Sequence, residues 1–406
     1  METEELRANL QRNTGLTPAV VEATMKALRS LKHASHTAAP AWLDDPNRPA
    51  TNLVAFKNGV LDIDKWLLDP RTQLMPHDRG LFTLAALPVN YDMTAGCPTF
   101  DKWLPSVFPD DVEQQREFAK LLGYVFIDGN PFHKMFILLG RPRAGKGITQ
   151  RLIQALVGPG NYAGTDLSLL GSQFGLANLV GRRVAIVGEM NEQRTNSIST
   201  NSIDAIKRIT GGDSLGIDRK NKGIVDMALP VRFVCACNRM PAFLDPSGAL
   251  ADRIVLFTFR VSHSGEEDHT LESRLHNELS GIVNRALDGL RNLLVHDQRF
   301  IQPKSVKVEL DLHRDAMSPV RIFAKENVEH ASSATAAVDD VYAAYRQWAT
   351  RDGRNPLNKS NMLKELYELF PEAARVREGG GQRRWLIRGL RLNEQGADAL
   401  TGSAFD

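Results

Sequence analysis

The residues with the plainest capacity for chemistry are Gly140-Arg-Pro-Arg-Ala-Gly-Lys146. The apolar run Met135-Phe-Ile-Leu-Leu139 precedes them, and Gln150-Arg-Leu-Ile-Gln-Ala-Leu-Val157, apolar at helical spacing, follows. Strand, glycine loop and helix is the context a P-loop needs. Gly140 and Gly145 let backbone N–H groups turn towards phosphate oxygens, the helix N-terminus adds positive potential, and Lys146 neutralises phosphate charge. Gly140, Arg141, Pro142, Arg143, Ala144, Gly145, Lys146, Gly147 and Ile148 are therefore the candidate nucleotide contacts, with ATP and Mg²⁺ as the expected cofactors. Gly147 stands where Ser or Thr normally holds Mg²⁺. Thr149 lies roughly 200° further round a helix, a poor substitute, so water or another side chain is expected at the metal position.

Further candidates follow in chain order. Val184-Ala-Ile-Val-Gly-Glu189 is an apolar strand ending in a carboxylate, and Glu189 is expected to hold the metal and polarise an attacking water as general base. Glu192 either shares the metal or is a surface carboxylate. The run Val231-Arg-Phe-Val-Cys-Ala-Cys237 ends at Asn238, whose amide can hydrogen-bond a water or a γ-phosphate without adding negative charge. Alone, such an Asn is as well explained as a turn former. Arg253, ahead of Ile254-Val-Leu-Phe257, has the fixed charge and fork of an arginine finger, worth roughly 10³ to 10⁵ in rate in other phosphoryl-transfer systems. The competing reading pairs it with Asp252. A finger completes a neighbour's site and so requires an oligomer.

Between the two strands, Gly211-Gly212 breaks any helix, and Arg219, Lys220 and Lys222 form a basic tip between Leu215–Ile217 and Ile224–Met227. Such a hairpin can hold one DNA strand by its phosphates inside a ring, or is a solvated basic loop. A second basic group, Arg375, Arg377, Arg383, Arg384, Arg388 and Arg391, flanks Gly379-Gly-Gly381, with Arg383 and Arg384 as candidate DNA contacts.

These groups need room and positioning. The 406 residues accommodate two or three domains, and 42% hydrophobic with 24% charged residues is the composition of a globular protein. Lys and Arg total 50 against 48 Asp and Glu, so any nucleic-acid surface must be local. No apolar run approaches the roughly 18 residues of a membrane helix, and the acidic start Met1-Glu-Thr-Glu-Glu is unlike a secretory signal, so a cytoplasmic location without membrane partners is expected. Cys235 and Cys237 share one strand face and read as buried thiols, and the ten histidines have no zinc-ligand spacing.

The spacing predicts N-terminal helices and a linker over 1–49, then a small β/helical lead-in domain over 50–130. The latter contains a hairpin around Asn58-Gly59 and helices over Phe100 to Ile127. The motor is expected over 131–300, with a helix over 271–287 as lid or bundle. Residues 301–406 are read as a weakly patterned linker to about 335, helices at Val338–Thr350 and Lys359–Leu369, and a basic hairpin, together a winged-helix-like domain.

The ordered set GRPRAGKG, VAIVGEMN, KRITGGDSLGIDRKNK, CNRMP and ADRIVLF resembles the superfamily 3 helicases, particularly phage, plasmid and poxvirus-type primase-helicases, across roughly residues 130–260. Upstream, FKNGVLDI, CPTFDKWL and LLGYVF look like that group's lead-in domain, and VYAAYRQWA resembles its C-terminal winged-helix region. The resemblance implies an α/β fold, with an AAA+-like P-loop ATPase core between an N-terminal α+β/helical domain and a C-terminal winged-helix-like domain. It implies a hexameric ring moving 3′ to 5′ on single-stranded or forked DNA, in the bacterial host cytoplasm if phage- or prophage-encoded. Carried over, Lys146 is the Walker lysine, Glu189 the Walker acid, Asn238 the sensor and Arg253 the finger. Lys220 tips the pore hairpin, and Lys207 contacts nucleotide between subunits. Two departures are Gly147 and the Ala251-Asp252 pair, where a second Arg is common. The roughly 130 residues before the motor leave no room for the primase these relatives often carry, so a separate primase or initiator is the expected partner. Two alternatives stand beside the helicase: an ATP-controlled initiator or DNA-binding scaffold that does not unwind, and a P-loop kinase, which would need neither the basic hairpin nor the arginine-rich wing.

Overall fold

The computed structural model of the chain describes residues 19–21, 23–24, 40–45, 47–83, 86–188, 197–220, 222–243, 245, 249–308, 310, 318–354, 356–377 and 384–401. They fall into two units, one from Met1–Thr51 and His77–Leu84, the other from Asn52–Pro76 and Ala85–Asp406. His77–Leu84, expected within the 50–130 module, thus clusters with the N-terminal unit. Of the helices expected over 3–34, only residues 19–21 and 23–24 are described, and they are helical.

In chain order, β1 (Ala41–Trp42) occupies the segment read as a linker. Trp42 is buried, its indole N–H donates to Pro49 O at 3.0 Å, and the Arg48 guanidinium lies 3.4 Å from its ring centroid. The expected hairpin is present as β2 (Leu53–Phe56) and β3 (Gly59–Asp62), but its register pairs Phe56 with Gly59, so the turn is Lys57-Asn58. Asn58 is the better turn residue because its amide bridges to Tyr91, accepting from the backbone N and donating to the backbone O, both at 2.9 Å. Asp62 then caps α1 (Ile63–Leu68). The short β4 (Leu81–Phe82) pairs antiparallel with β1.

Two helices lead into the core. Pro98 starts α2 (Pro98–Val107), and Asp111 caps α3 (Val112–Tyr124) by accepting from Gln114 N at 3.0 Å. Next come β5 (Met135–Gly140), α4 (Lys146–Val157), β6 (Tyr162–Thr165), β7 (Val184–Val187) and β8 (Ser197–Ile198). Ser199 caps α5 (Thr200–Gly211), Gly212 ends it in the left-handed region, and the chain enters β9 (Ser214–Arg219) and β10 (Lys222–Ala228). The last strands of this region are β11 (Arg232–Cys237), β12 (Ala242–Phe243) and β13 (Ile254–Phe259).

Five of these form an all-parallel sheet in the order β13-β5-β11-β7-β6. Its central strands read as continuous apolar runs because both faces are covered. Alternate residues serve opposite cores. Phe136, Leu138, Val255 and Phe257 pack with α2, α3 and α4, while Met135, Ile137, Cys235 and Leu256 pack with α5. Cys235 and Cys237 are free, buried thiols on that second face, as their period-two spacing predicts, and burial pushes Cys237 up to about 12.

The helix expected over 271–287 is two, α6 (Leu271–Asn277) and α7 (Leu279–Arg291), separated at Glu278. Helices α3 and α7 approach so closely that a Cβ on Gly289 would lie 2.1 Å from Ala119 O, and one on Gly123 2.2 Å from Ala286 O. The C-terminal region corrects the sequence reading. Part of the segment taken as a linker forms α8 (Pro319–Asn327) and β14 (Val328–Ala337). They are followed by α9 (Val338–Arg351), α10 (Lys359–Leu369), β15 (Ala374–Arg377), β16 (Trp385–Leu392) and α11 (Glu394–Thr401). β14 joins the expected hairpin as a third antiparallel strand, order β14-β16-β15, over a core that includes Phe323, Tyr345, Leu366 and Ile387. Among the described residues no helix is long and apolar enough to cross a membrane.

Candidate functional site

The glycine loop is built by two backbone demands. Gly140 sits opposite Phe259 in the parallel ladder, and a Cβ there would lie 2.1 Å from the Phe259 carbonyl oxygen. Gly145 has φ +98°, and Arg143 takes the left-handed region at φ 60°. The turn delivers α4 with Gly145 at its cap and no side chain over the first-turn N–H groups, which leaves donors and positive potential facing outward. Ala144 is buried, whereas Arg141, Pro142, Arg143 and Gly147 are exposed and Ile148 is half-buried. The loop is clasped from the segment after β13: Ser262 donates to Pro142 O at 3.0 Å, His263 N to Arg143 O at 3.1 Å, and Arg143 pairs with Glu267.

Lys146 is buried at 5% exposure, with Nζ donating to Gly140 O and Arg141 O at 2.7 Å each and to Asn238 Oδ1 at 2.9 Å. Strand register brings the last pair together. β11 lies beside β5 with Cys237 opposite Leu139, so the next residue on each strand is Asn238 and Gly140. An ammonium at the end of β5, beside donor-rich backbone, is suited to an anion, because a charged acceptor binds an ammonium more strongly than a neutral one.

β7 ends at Val187, opposite Cys235, and Gly188 follows it. Glu189 and Glu192 lie outside the described residues, and among those described no group of three or more His, Cys, Asp or Glu could hold a metal. A divalent cation at the position after Lys146 finds no side-chain oxygen on Gly147. The Thr149 hydroxyl is buried with no hydrogen-bond partner, and the nearest side-chain atom to a Cβ at Gly147 would be Nη1 of Arg151, at 3.2 Å. Among the described residues, then, residue 147 gives Mg²⁺ no side-chain ligand, and the carboxylate expected to hold the ion, Glu189, is not among them.

Arg253 stands at the other end of the sheet. It closes a short turn before β13, whose Ile254 is opposite Met135 while its Phe259 is opposite Gly140. Five steps at about 3.3 Å put those ends about 17 Å apart. Its Nη1 donates to Lys207 O at 2.7 Å and to Thr210 Oγ1 at 2.8 Å, at the C-terminal turn of α5. Lys207 Nζ is 2.6 Å from Asp245 Oδ1, and the other oxygen of that carboxylate accepts Leu250 N at 2.7 Å. Lys146 and Asn238 thus meet, Arg253 meets the backbone of Lys207, and the two groups are separate.

The basic hairpin is present as β9–β10, with Arg219 opposite Lys222 and Lys220 exposed at the turn. Leu215 and Ile217 root it in the core, while Ile224 is exposed. Arg219 is half-buried, and the Lys222 side chain lies outside the description. At the C-terminal hairpin Arg384 is exposed and Arg383 lies outside the described residues. Arg375 and Arg377 stack on the half-exposed Trp385, 4.1 and 5.4 Å from its ring centroid. Arg151, Glu267 and Glu272 were not legible as site residues, since Arg151–Glu272, at 2.7 Å, joins positions 121 apart.

Two family models match this chain. One, described as D5 N terminal like, covers residues 2–109, and the other, a family of unknown function (DUF5906), covers 138–253, which runs from the strand before the glycine loop to Arg253. The two models match the N-terminal region and the segment that carries the glycine loop. It is 26% identical over 234 residues to "Putative helicase 121R" of Invertebrate iridescent virus 3, covering 53% of this chain and 23% of that protein. It is also 26% identical over 254 residues to "Putative helicase 184R" of Invertebrate iridescent virus 6, covering 58% and 25%. The chain spans about a quarter of the length of the curated relatives it matches. Among solved structures, the apo C-terminal region of NrS-1 aligns with TM-score 0.49 at 12% identity, covering 96% of this chain and 91% of that one.

Proposed function

We propose that this chain is the motor of an ATP-dependent DNA helicase, a hexameric ring that moves 3′ to 5′ along single-stranded DNA in phage, prophage or mobile-element replication. The observation that carries the reading is the meeting of Lys146 and Asn238 at the end of β5. A γ-phosphate oxygen is a stronger acceptor for Nζ than the Gly140, Arg141 and Asn238 oxygens, so a bound triphosphate would draw the ammonium forward and come within reach of the Asn238 amide. Glu189, which the sequence puts at the end of an apolar strand, is the proposed general base and the carboxylate offered to Mg²⁺. Mg²⁺ would supply charge neutralisation of the phosphates when bound.

Arg253 lies a strand's length from Lys146 along the sheet, a separation that suits service to a neighbour's phosphate, with Lys207 on the same helical turn system. Lys220, with Arg219 and Lys222, is the proposed grip on the single strand. The C-terminal order of helix, strand, two helices and a basic hairpin supports a winged-helix-like domain presenting Arg383 and Arg384 to forked DNA. A separate primase or initiator is the proposed partner, in the cytoplasm of the host. The names of the viral relatives support the same activity.

The test is ATP-dependent unwinding of forked DNA carrying either a 3′ or a 5′ tail, with ATPase measured with and without single-stranded DNA. Unwinding from the 3′ tail is expected. DNA-stimulated ATPase without unwinding would move the assignment to an initiator, and an ATPase indifferent to DNA would sink the helicase reading.

A further inference from the structure

We propose that Arg151 is a phosphate-contacting residue that takes over the work of the hydroxyl missing at Gly147, so that nucleotide binding here depends less on Mg²⁺ than it does where that hydroxyl is present. The proposal rests on the nucleotide reading above and names a further binding residue within it. Arg151 lies one helical turn beyond Gly147 on α4, and side chains in a helix lean back over the preceding turn. Its Nη1 is 3.2 Å from where a Gly147 Cβ would stand, so Ser or Thr at 147 would crowd the guanidinium and glycine leaves it room. Its Nε donates to Glu272 Oε2 at 2.7 Å, which holds the fork from the side of α6 while Nη1 lies beside Gly147 in the first turn of α4.

The position is the one from which a Ser or Thr acts on phosphate through a metal ion. A guanidinium with fixed charge and planar donors can neutralise a phosphate oxygen directly. The Arg151 side chain is 50% exposed, so an arriving phosphate can reach it and its removal opens no core. Glu272 holds Nε and leaves Nη1 beside Gly147. The missing oxygen at 147 and the guanidinium above it are one arrangement: the same lack of side chain that removes a metal contact admits a second cation beside Lys146.

The experiment is equilibrium binding of a fluorescent ATP analogue to the full chain, in EDTA and in Mg²⁺, for the wild type, Arg151→Ala and Arg151→Lys. The wild type is expected to bind in EDTA within about threefold of its affinity in Mg²⁺, and Arg151→Ala to lose about tenfold or more in EDTA and less in Mg²⁺, with Arg151→Lys between them. Thermal unfolding without nucleotide should be the same for all three proteins, which separates a lost contact from a damaged fold. Unchanged binding by Arg151→Ala in EDTA would overturn the proposal and leave the nucleotide reading standing. So would wild-type binding that appears only with Mg²⁺. No wild-type binding in either condition would overturn the nucleotide reading, and this proposal with it.

Discussion

At the scale of single residues, Gly140 answers to its neighbour strand before it answers to any ligand. Any side chain would put a Cβ 2.1 Å from the backbone oxygen of Phe259, and neither strand of a parallel ladder can move without disturbing both cores. Gly140→Ala is expected to lower stability by about 3 kcal/mol, the upper range for forced overpacking, as measured by urea unfolding. A cost below about 1 kcal/mol would show that β5 and β13 part easily. Lys146 and Asn238 were both legible as candidates, the first from the glycine loop and the second from the end of an apolar strand. Their contact was not legible, because it follows from the Cys237–Leu139 register. Arg253 was open between a finger and an ion pair with Asp252; the structure gives it the last turn of α5 to hold.

At the scale of elements, an acid at the junction of two helices caps a third. Glu278, between α6 and α7, accepts Thr99 N at 2.9 and 3.0 Å and Phe100 N at 3.1 Å, two of the open donors of α2. Burial pulls its carboxyl upward, but the Thr99 and Phe100 N–H groups outweigh that and hold it below its ordinary 4.5. A folded-state value below the unfolded one means that the cap contributes fully above about pH 4.5 and is lost as pH falls through the lower folded value. Glu278→Gln should therefore cost about 1 kcal/mol at pH 7, with the gap to wild type closing on acidification. An equal gap at pH 7 and pH 3 in denaturant titrations would contradict this account.

The β9–β10 hairpin invites a functional test at the same scale. Lys220 is exposed at the tip, so Lys220→Ala should abolish strand displacement while keeping more than roughly half the ATPase, since phosphate grip and hydrolysis are separate steps. Parallel loss of both activities would mean that the tip serves the nucleotide site. β14 marks the limit of reading elements from sequence. Val-Glu-His-Ala-Ser-Ser-Ala-Thr-Ala-Ala has neither alternation nor β-branched density, and it is a strand because β16 offers it a ladder, broken between Ala331 and Thr335.

At the scale of the whole molecule, the separation of Arg253 from Lys146 along β13 and β5 suits the proposed sharing of one catalytic unit between two chains. Mixing Arg253→Ala with Lys146→Ala chains should restore ATPase to a measurable fraction of wild type, because some interfaces then combine an intact loop with an intact arginine. Failure to recover any activity, with mixed oligomers shown by crosslinking, would mean that Arg253 acts within its own chain. By itself the sequence determined the local matters: a glycine loop between strand and helix, a basic hairpin, apolar strands covered on both sides, and helices with readable caps. These follow from spacing, charge and backbone freedom within a dozen residues. Tertiary structure decided what depends on register and long-range packing: Asn238 at Lys146, Arg253 on α5, Glu278 over α2, Arg151 between Gly147 and Glu272, and a third strand beside the C-terminal hairpin. Each of those contacts joins positions tens to hundreds of residues apart or fills space that another side chain leaves, and no local pattern encodes such a meeting.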